Sequence, residues 1–434
     1  MPTPQPSLSP ERAAELIGAC FRAPPSPATK VGVEIEWLTY HGATGARPDL
    51  ATLEAACSVD AAGHGVPGGA VTFEPGGQVE LSTPPAEGVE AACGAVAAGA
   101  TALRARLAAA GVEMAAVGLD PVRTPARITT AERYVAMEAY FDRLGPVGRE
   151  MMCGTAAVQV NLDLGADGPG RWRAAHAVGP VLAAAFANSP FARGRPTGHR
   201  STRLAIWAAL DPARTAPVPA GDPVEDPVAD WIRYVLAAPV MLVRDAGTGG
   251  FRPGLRPLPF GRWLAGDGGD GYPDEADLAY HLTTLFPPVR PRGWLEVRMI
   301  DALPEPWWRV AVAVTTALVT DDRAAAAALE ACAGSSEWWP AAAHRALADP
   351  LIARAARSCF AAALDALPRI GAGAATQSQC AAYADRFVDR GRCPADDLLD
   401  TWASSGALPP PAATGRRSRS GARPLATEET PSWI

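Results

Sequence analysis

The chain has 434 residues, of which 48% are hydrophobic and 20% are charged, and its formal net charge is -7. This composition is typical of a globular protein with a large core and excludes a disordered or fibrous chain. The negative charge argues against nucleic acid as the main partner, because phosphate backbones attract clustered lysine and arginine. Small anionic ligands remain compatible with this charge if metal ions accompany them.

Two residue types restrict the chemistry further. Lys30 is the only lysine and lacks preceding glycines, which excludes a G-x-x-x-x-G-K-[ST] phosphate loop, so any ATP must be held in another way. The eight cysteines show no C-x-x-C pair and no zinc spacing, which predicts buried free thiols. The N-terminus has neither a basic start nor an apolar run, so no secretory signal is expected and a cytoplasmic location is predicted.

In chain order, residues 1–10 are predicted to be mobile, and a helix is predicted to start after Ser9 with Pro10 at its first position. The alanine-rich segments Ala91–Gly111 and Asp321–Gly334 favour helix, since alanine, leucine and arginine have high helix propensity. These helices alternate with short strand candidates. We therefore predict one α+β domain covering residues 11–403.

Three other segments complete this outline. Residues 213–226 are rich in proline and glycine and predict a loop. The apolar run Arg309–Thr320 is shorter than the roughly 20 residues of a membrane-spanning helix and indicates a buried helix. Residues 404–434 are rich in proline, arginine and serine, which predicts a disordered tail. The tail's basic cluster, Arg416, Arg417 and Arg419, is either a solvated segment or a contact site.

Four segments alternate apolar and polar residues with a period of two, which predicts strands with one buried face. The apolar positions are Val31, Val33, Ile35 and Trp37, then Val79 and Leu81, then Val158, Val160 and Leu162, and finally Leu295, Val297 and Met299. The opposite positions are Glu34 and Glu36, then Gln78, Glu80 and Ser82, then Gln159, Asn161 and Asp163, and finally Glu296 and Arg298. One such strand alone is usually half of a solvated sheet. Four strands with the same chemistry predict one shared polar surface.

On a single antiparallel sheet, five carboxylates would crowd this surface. They are Glu34, Glu36, Glu74, Glu80 and Glu296. Crowded carboxylates raise each other's pKa unless cations neutralise them. Oxygen ligands with amide help from Gln159 suit Mg²⁺, or Mn²⁺, better than zinc. Such ions can hold ATP without a phosphate loop, and Arg298 can stabilise charge on a transferring phosphoryl group.

Two neighbouring glycines separate two of these carboxylates. Gly76 and Gly77 predict a bulge or turn between Glu74 and Glu80 that directs both side chains at the same ions. An ordinary turn without that role is the alternative.

A second cluster lies further along the chain. Arg203 and Trp207 are four residues apart and would share one helix face, where Arg203 can bind a carboxylate bidentately beside the tryptophan ring. The alternative is that Arg203 is a solvated surface charge. For His281 the sequence favours a hydrogen-bonded structural role over metal ligation.

The motifs GVEIEW, FEPGGQVELSTPP, MMCGTAAVQVNLDLG, ANSPFARGRPTG, STRLAIW, HLTTLFPPVR and LEVRMID occur in this order between about Val31 and Asp301. Together they resemble the glutamate–cysteine ligase family, in the branch that includes plant and actinobacterial enzymes. The resemblance implies an α+β fold in which an antiparallel sheet curls into a funnel with helices packed outside. It also implies that ATP and amino-acid substrates bind on the concave face.

The resemblance implies a reaction as well. ATP phosphorylates the γ-carboxylate of L-glutamate, and the amine of L-cysteine attacks the acyl phosphate to give γ-glutamylcysteine, ADP and phosphate, with Mg²⁺ required. By motif match, the metal ligands are Glu34, Glu36, Glu74, Glu80, Gln159 and Glu296. Glu36 and Arg298 would be catalytic, with Arg298 contacting the nucleotide phosphates. Arg203 would bind the α-carboxylate of glutamate, and the residues lining its pocket would be Trp207 and Asn161.

The pathway and two rival functions stay open at this point. The near absence of lysine suggests an actinobacterial source, for which the resemblance implies supply of γ-glutamylcysteine to ergothioneine synthesis, with glutathione synthesis as the alternative. One rival is a carboxylate–amine ligase that joins glutamate to another amine. The other is a catalytically silent relative that binds nucleotide or metal. Neither nucleic acid nor a membrane is expected as a partner.

Overall fold

The computed structural model describes residues 8–22, 29–58, 65–218, 226–244, 250–254, 256–268 and 271–410. The strands are β1 (Lys30–His41), β2 (Ala70–Phe73), β3 (Val79–Ser82), β4 (Ala86–Glu87), β5 (Val112–Ala115), β6 (Ala157–Asp163), β7 (Phe191–Ala192), β8 (Arg195–Pro196), β9 (Leu242–Arg244), β10 (Phe251–Pro253), β11 (Val289–Pro291) and β12 (Trp294–Asp301). The predicted polar strands are β1, β3, β6 and β12.

One antiparallel sheet contains all four of these strands. Its order is β11-β12-β6-β1-β3-β2, and β4 and β5 pair with other parts of the long strand β1. Because β11 and β2 are its two ends, the sheet is open rather than closed into a barrel. The pairs β7–β8 and β9–β10 form separate two-stranded ribbons.

The helices surround this sheet. They are α1 (Pro10–Gly18), α2 (Leu50–Cys57), α3 (Gly88–Ala109), α4 (Glu132–Phe141), α5 (Val147–Gly154), α6 (Gly168–Ala185), α7 (Thr202–Leu210), α8 (Pro212–Thr215), α9 (Pro227–Ala237), α10 (Phe260–Leu264), α11 (Glu275–Leu282), α12 (Trp307–Thr320), α13 (Asp322–Ala331), α14 (Trp339–His344), α15 (Pro350–Ala366), α16 (Ala374–Tyr383) and α17 (Pro394–Ser405). The mixed helix-and-sheet fold class with an antiparallel sheet is therefore confirmed.

The alternation in the strands separates the core from the polar face as predicted. All the apolar strand positions named above are buried. They pack against α3, α6 and α12, which cover the apolar side of the sheet. The run predicted as a buried helix is most of α12, and its residues from Val310 to Val319 are all buried. No helix in the described ranges is long and apolar enough to cross a bilayer.

Several predicted boundaries differ from the structure in detail. The first helix begins at Pro10 with Ser9 as its N-cap, as predicted, although the preceding Leu8 is already buried in the core. The predicted loop at residues 213–226 begins inside α8, and residues 219–225 lie outside the described part of the chain.

The predicted start of the tail, at residue 404, also falls within a helix. Helix α17, the last in the described part of the chain, continues to Ser405, and its Trp402 packs against Phe191 with 5.8 Å between ring centroids. This contact stabilises a helix that the local composition does not indicate. Residues 411–434, which include the basic cluster of the predicted tail, lie outside the described residues.

Candidate active site

The polar face of the sheet forms one wall of a cavity of about 190 Å³. Eight of the predicted site residues line it, namely Glu34, Glu36, Glu74, Glu80, Gln159, Arg203, Trp207 and Arg298. Residues from the four strands β1, β3, β6 and β12 converge as the period-two argument predicted, and the turn between β2 and β3 and helix α7 contribute the others. The two other predicted residues, Glu296 and Asn161, are not part of this lining.

The strand register determines which polar side chains meet. Glu36 on β1 lies opposite Glu80 on β3, while Glu34 lies opposite Gln159 on β6. Neighbouring side chains on one face of an antiparallel pair are only about 5 Å apart at Cβ. The predicted crowding of carboxylates is therefore a property of this register.

Glu36 lines the cavity and accepts hydrogen bonds from two neutral donors. Its Oε1 accepts a hydrogen bond from Gln159 Nε2 at 3.1 Å, and its Oε2 accepts one from the backbone N–H of Ala157 at 3.0 Å. Burial and then the negative charge of Glu80 raise the pKa of Glu36 to about 7. The charges of Arg203 and Arg298 only partly oppose this rise, so a nearby cation would further stabilise the charged form of Glu36.

Two more carboxylates on this surface also have a raised pKa. Burial, followed by the charge of Glu36, raises the pKa of Glu74, and burial with the charge of Glu80 raises that of Glu34. The Glu34 carboxylate accepts a hydrogen bond from Asn161 Nδ2 at 2.9 Å. Asn161 therefore orients Glu34, and the structure does not bring it to Arg203 or Trp207.

The two glycines form the turn that joins β2 to β3. The N–H of Gly77 donates to the carbonyl of Glu74 at 2.9 Å, and Gly77 has a φ of 86°, which favours glycine. A Cβ on Gly76 would lie 2.1 Å from the carbonyl oxygen of Cys153, so only glycine fits against the end of α5. The predicted turn is present, and its role in directing both carboxylates at shared ions stays a prediction.

Glu296 occupies a different environment from the other carboxylates. Its Oε2 accepts from Arg290 Nε at 2.5 Å and from Arg298 Nη1 at 3.4 Å, and its Oε1 accepts from Arg292 Nη1 at 2.9 Å. Burial alone would raise the pKa of this group, but Arg290 and Arg298 outweigh it and hold the pKa at about 2. The sequence indicated a metal ligand here, whereas the structure shows a carboxylate neutralised by arginines.

Arg298 lies at an irregularity in β12. The pairing of β12 with β6 shifts register between Val297 and Ile300, which is the signature of a bulge. Arg298 Nη1 donates to Gln159 Oε1 at 2.5 Å, so one amide connects this guanidinium to Glu36. A phosphoryl group in the cavity would therefore meet a positive charge held by the sheet.

Arg203 lies buried at the start of α7, where Ser201 caps the helix. Its Nη2 donates to the carbonyl of Arg298 at 2.9 Å, and its guanidinium carbon lies 5.9 Å from the centre of the Trp207 ring. The alternative of a solvated surface charge is thus wrong. Burial lowers the pKa of Arg203, and Asp301, whose Oδ1 lies 3.8 Å from Arg203 Nη1, only partly opposes this effect. An anionic ligand would therefore stabilise the charged guanidinium further.

The cavity also has walls that the sequence analysis missed. Helices α4 and α5 contribute Arg133, Tyr134, Met137, Met151 and Met152, and the segment before β12 contributes Thr283, Phe286 and Arg290. None of these residues lies on a strand with period-two alternation. The dense methionine content of α4 and α5 was the available signal, but a methionine cluster is more often ordinary core.

The fit of a metal ion can be judged from the donor set. Glutamate oxygens with an amide match the preference of Mg²⁺, and their raised pKa values indicate negative charge that a cation would relieve. Among the described residues, no three His, Cys, Asp or Glu side chains are already arranged as ligands, so binding would require new glutamate rotamers.

The remaining candidates for metal chemistry have structural explanations. Nε2 of His281 is 3.0 Å from the carbonyl oxygen of Val235, and its ring stacks on Phe260, which confirms the structural role predicted for it. All eight cysteines are free, and six of them are buried as predicted, whereas Cys20 and Cys57 are only partly buried.

Comparisons with known proteins agree with the resemblance noted in the sequence. The sequence model for glutamate–cysteine ligase family 2 (GCS2) matches residues 30–421. The glutamate–cysteine ligase EgtA of Mycobacterium tuberculosis is 43% identical over 350 residues, 79% of each chain. That of Mycolicibacterium smegmatis is 41% identical over 406 residues, 92% of this chain and 93% of the relative. A chloroplastic glutamate–cysteine ligase of Arabidopsis thaliana is 33% identical over 55% of this chain and 46% of its own.

Solved structures support the fold. A glutamate–cysteine ligase of Francisella tularensis in complex with AMP aligns with a TM-score of 0.51 at 12% identity, covering 87% of this chain and 86% of that one. A bifunctional glutathione synthetase of Pasteurella multocida aligns with a TM-score of 0.53 at 13% identity, covering 89% of this chain and 51% of that one. The family model covers most of the chain and the EgtA relatives match it at high coverage, so this chain belongs to glutamate–cysteine ligase family 2.

Proposed function

We propose that this protein joins the γ-carboxylate of L-glutamate to the amine of L-cysteine, using ATP and giving γ-glutamylcysteine, ADP and phosphate. The observation that carries the proposal is one cavity lined by four glutamates, Arg203 and Arg298. The EgtA relatives of this chain are named glutamate–cysteine ligases, and their alignments cover most of it. We place the reaction at the start of ergothioneine biosynthesis, in the cytoplasm.

The carboxylate face would hold Mg²⁺, or Mn²⁺, through Glu34, Glu36, Glu74, Glu80 and Gln159. Bound there, the cations would neutralise the phosphate oxygens of ATP and polarise the phosphoryl group. Three arginines, Arg290, Arg292 and Arg298, already compensate the negative charge of Glu296. Glu296 would bind a cation only after these arginines move away from its carboxylate. In their observed positions, Glu296 instead fixes the orientation of Arg298.

Arg203 and Trp207 form the proposed site for glutamate. The buried guanidinium of Arg203 is a suitable partner for an α-carboxylate, because a charge-assisted hydrogen bond is stronger away from water. Trp207 lies beside it and would cover the aliphatic part of the substrate. With its α-carboxylate on Arg203, the γ-carboxylate of glutamate would extend towards Glu36 and Arg298.

Arg298 would stabilise the transferred phosphoryl group. Its guanidinium is oriented by Gln159 and Glu296 and lines the same cavity as Glu36. A preorganised positive charge lowers the barrier because it needs no reorientation as charge develops on the phosphate oxygens. Glu36, with its pKa near neutrality, would accept the proton that the substrate ammonium group loses before its free amine attacks the acyl phosphate, when Glu36 is not engaged with a cation.

The amine substrate fits the wall formed by α4 and α5. Arg133 lines the cavity, its Nε is buried without a partner, and its guanidinium carbon lies 5.6 Å from the Tyr280 ring centre. The Tyr280 hydroxyl is likewise buried without a partner. A second amino-acid carboxylate in the cavity would satisfy the Arg133 donor. The nearby thioethers of Met137 and Met151 suit a thiol side chain better than a charged side chain, which favours cysteine as the acceptor.

The test is mass spectrometry of products after incubating the protein with ATP, Mg²⁺, L-glutamate and L-cysteine, omitting each in turn. We expect γ-glutamylcysteine only when all four are present. A panel of other amines tests the rival ligase, which is favoured if ADP and phosphate form only with a different acceptor. Absence of any product, with the protein folded and ATP still bound, would favour the silent relative.

A further inference from the structure

A second and larger cavity adjoins the carboxylate cavity. It encloses about 430 Å³ and shares four lining residues with the first cavity, namely Arg203, Trp207, Phe286 and Arg298. The rings of Trp207 and Phe286 meet edge to face, with 5.8 Å between their centroids. These two rings therefore form part of the boundary between the cavities, and a ligand in the larger one would reach the same arginines from the other side.

The walls of this cavity are mostly apolar. Its lining includes Trp339, Met299 and the α7 residues Ala208 and Ala209, and no Asp or Glu is among its described lining residues. Its charge comes from the arginines that it shares with the carboxylate cavity. Both arginines have an acidic neighbour outside this lining, because Arg203 Nη1 lies 3.8 Å from Asp301 Oδ1 and Arg298 Nη1 lies 3.4 Å from Glu296 Oε2. An apolar cavity with partly compensated positive charge at one end favours an anion with an apolar body.

Two buried polar atoms on lining residues also lack partners. They are Nε1 of Trp207 and Nδ1 of His199. Buried polar groups are usually hydrogen-bonded, so an unpartnered pair around one cavity indicates that a ligand or ordered water completes it. Neither atom is used by the ligase reaction proposed above.

We propose that this cavity is an effector site for a small carboxylate with an aromatic body. Its carboxylate would contact Arg203, and the ring would pack between Trp207 and Trp339. Since Arg203 is also the proposed contact for the α-carboxylate of glutamate, the two ligands would exclude one another. The competition between the acid and glutamate rests on the proposed function, whereas binding of the acid to this cavity does not.

The test is calorimetric titration of the full chain, without ATP or Mg²⁺, with indole-3-propionate and with the matched neutral probe indole-3-propionamide. We expect the acid to bind at least about tenfold more tightly than the amide, because only the acid carries the charge that Arg203 would bind. Equal affinities, or no binding of the acid, would overturn the proposal.

Filling the cavity provides a matched pair of variants. Ala209→Phe adds a ring to an exposed position that lines the cavity, whereas Ala326→Phe adds one to an exposed position on α13 outside it. Ala209→Phe should weaken binding of the acid at least about tenfold with turnover unchanged, and Ala326→Phe should change neither. If Ala209→Phe does not fold, Ala208→Phe gives the same test from the neighbouring position. Unchanged affinity in the folded variant contradicts the site.

Competition titrations test whether the acid and glutamate share Arg203. L-glutamate should displace the acid, whereas ATP should not. Displacement by ATP alone would overturn the effector role and indicate a pocket for the nucleotide base. Because these titrations do not depend on turnover, an inactive protein that still binds the acid would separate failure of the ligase proposal from failure of this one.

Discussion

Glu36 on β1 and Glu80 on β3 face each other across an antiparallel strand pair, inside a cavity that also contains Glu34 and Glu74. Two carboxylates in this position repel each other. Neutral donors to Glu36 and the charges of Arg203 and Arg298 offset this repulsion only in part, because the pKa of Glu36 stays raised. The chain therefore maintains an arrangement that is unfavourable without cations, as expected where function rather than stability determines the residues.

The first prediction concerns pH. The folded pKa of Glu36, about 7, lies above its ordinary value of 4.5, so the folded chain binds more protons between these values. Its contribution to the free energy of unfolding is full below 4.5 and is lost as the pH rises through 7. Glu80→Gln removes the facing charge, so its stability relative to the unaltered chain should increase by about 1 kcal/mol between about pH 5 and 8. Urea unfolding in EDTA measures this difference, and a pH-independent difference would contradict it.

The second prediction concerns turnover in the same variant. Glu80 accepts hydrogen bonds from Thr72 at 2.9 Å and Ser82 at 3.0 Å, which a glutamine oxygen can retain, so the fold should persist. Loss of a metal-binding carboxylate should lower kcat about 100-fold or more at saturating Mg²⁺. Glu87→Gln, at an exposed position on β4, is the matched control and should be fully active. Unaltered activity of Glu80→Gln would remove Glu80 from the metal site.

The third prediction tests the glutamate site. Arg203→Lys keeps the charge but loses the planar fork that can bind a carboxylate bidentately. We expect the KM for glutamate to rise about 10- to 100-fold, with a much smaller change in the KM for ATP. Initial rates at varied concentrations of each substrate separate the two effects. Equal increases in both constants would place Arg203 outside the glutamate pocket.

The fourth prediction concerns the arginines around Glu296. Arg290 is buried and bonded to Glu296, whereas the Arg292 side chain is 48% exposed. Arg290→Gln should lower the free energy of unfolding by about 3 kcal/mol, because it leaves a buried carboxylate poorly compensated. Arg292→Gln, in which the same bond type is lost at the surface, should cost less than about 1 kcal/mol. Urea denaturation of both variants provides the comparison, and equal costs would show that burial of the pair is unimportant.

Local sequence determined the chemistry of the sheet surface. Alternation with a period of two separates Val31, Val33 and Ile35 from Glu34 and Glu36 in any strand, because successive side chains point to opposite faces. Helical spacing likewise placed Arg203 and Trp207 on one side of α7. These properties depend only on neighbours in the chain, so they follow from the sequence without any tertiary contact.

Tertiary structure decided how these groups combine. The register of β1 against β3 put Glu80 opposite Glu36, and the pairing of β11 with β12 put Arg290 beside Glu296 and neutralised it. The wall carrying Arg133 and Met137 came from α4, which is distant in sequence from most of the strands. Strand registers and burial depend on pairing between distant segments, and the electrostatic potential at each carboxylate depends on all of these segments together. A local pattern therefore determines which residues form this site, but not their contacts or their charge states.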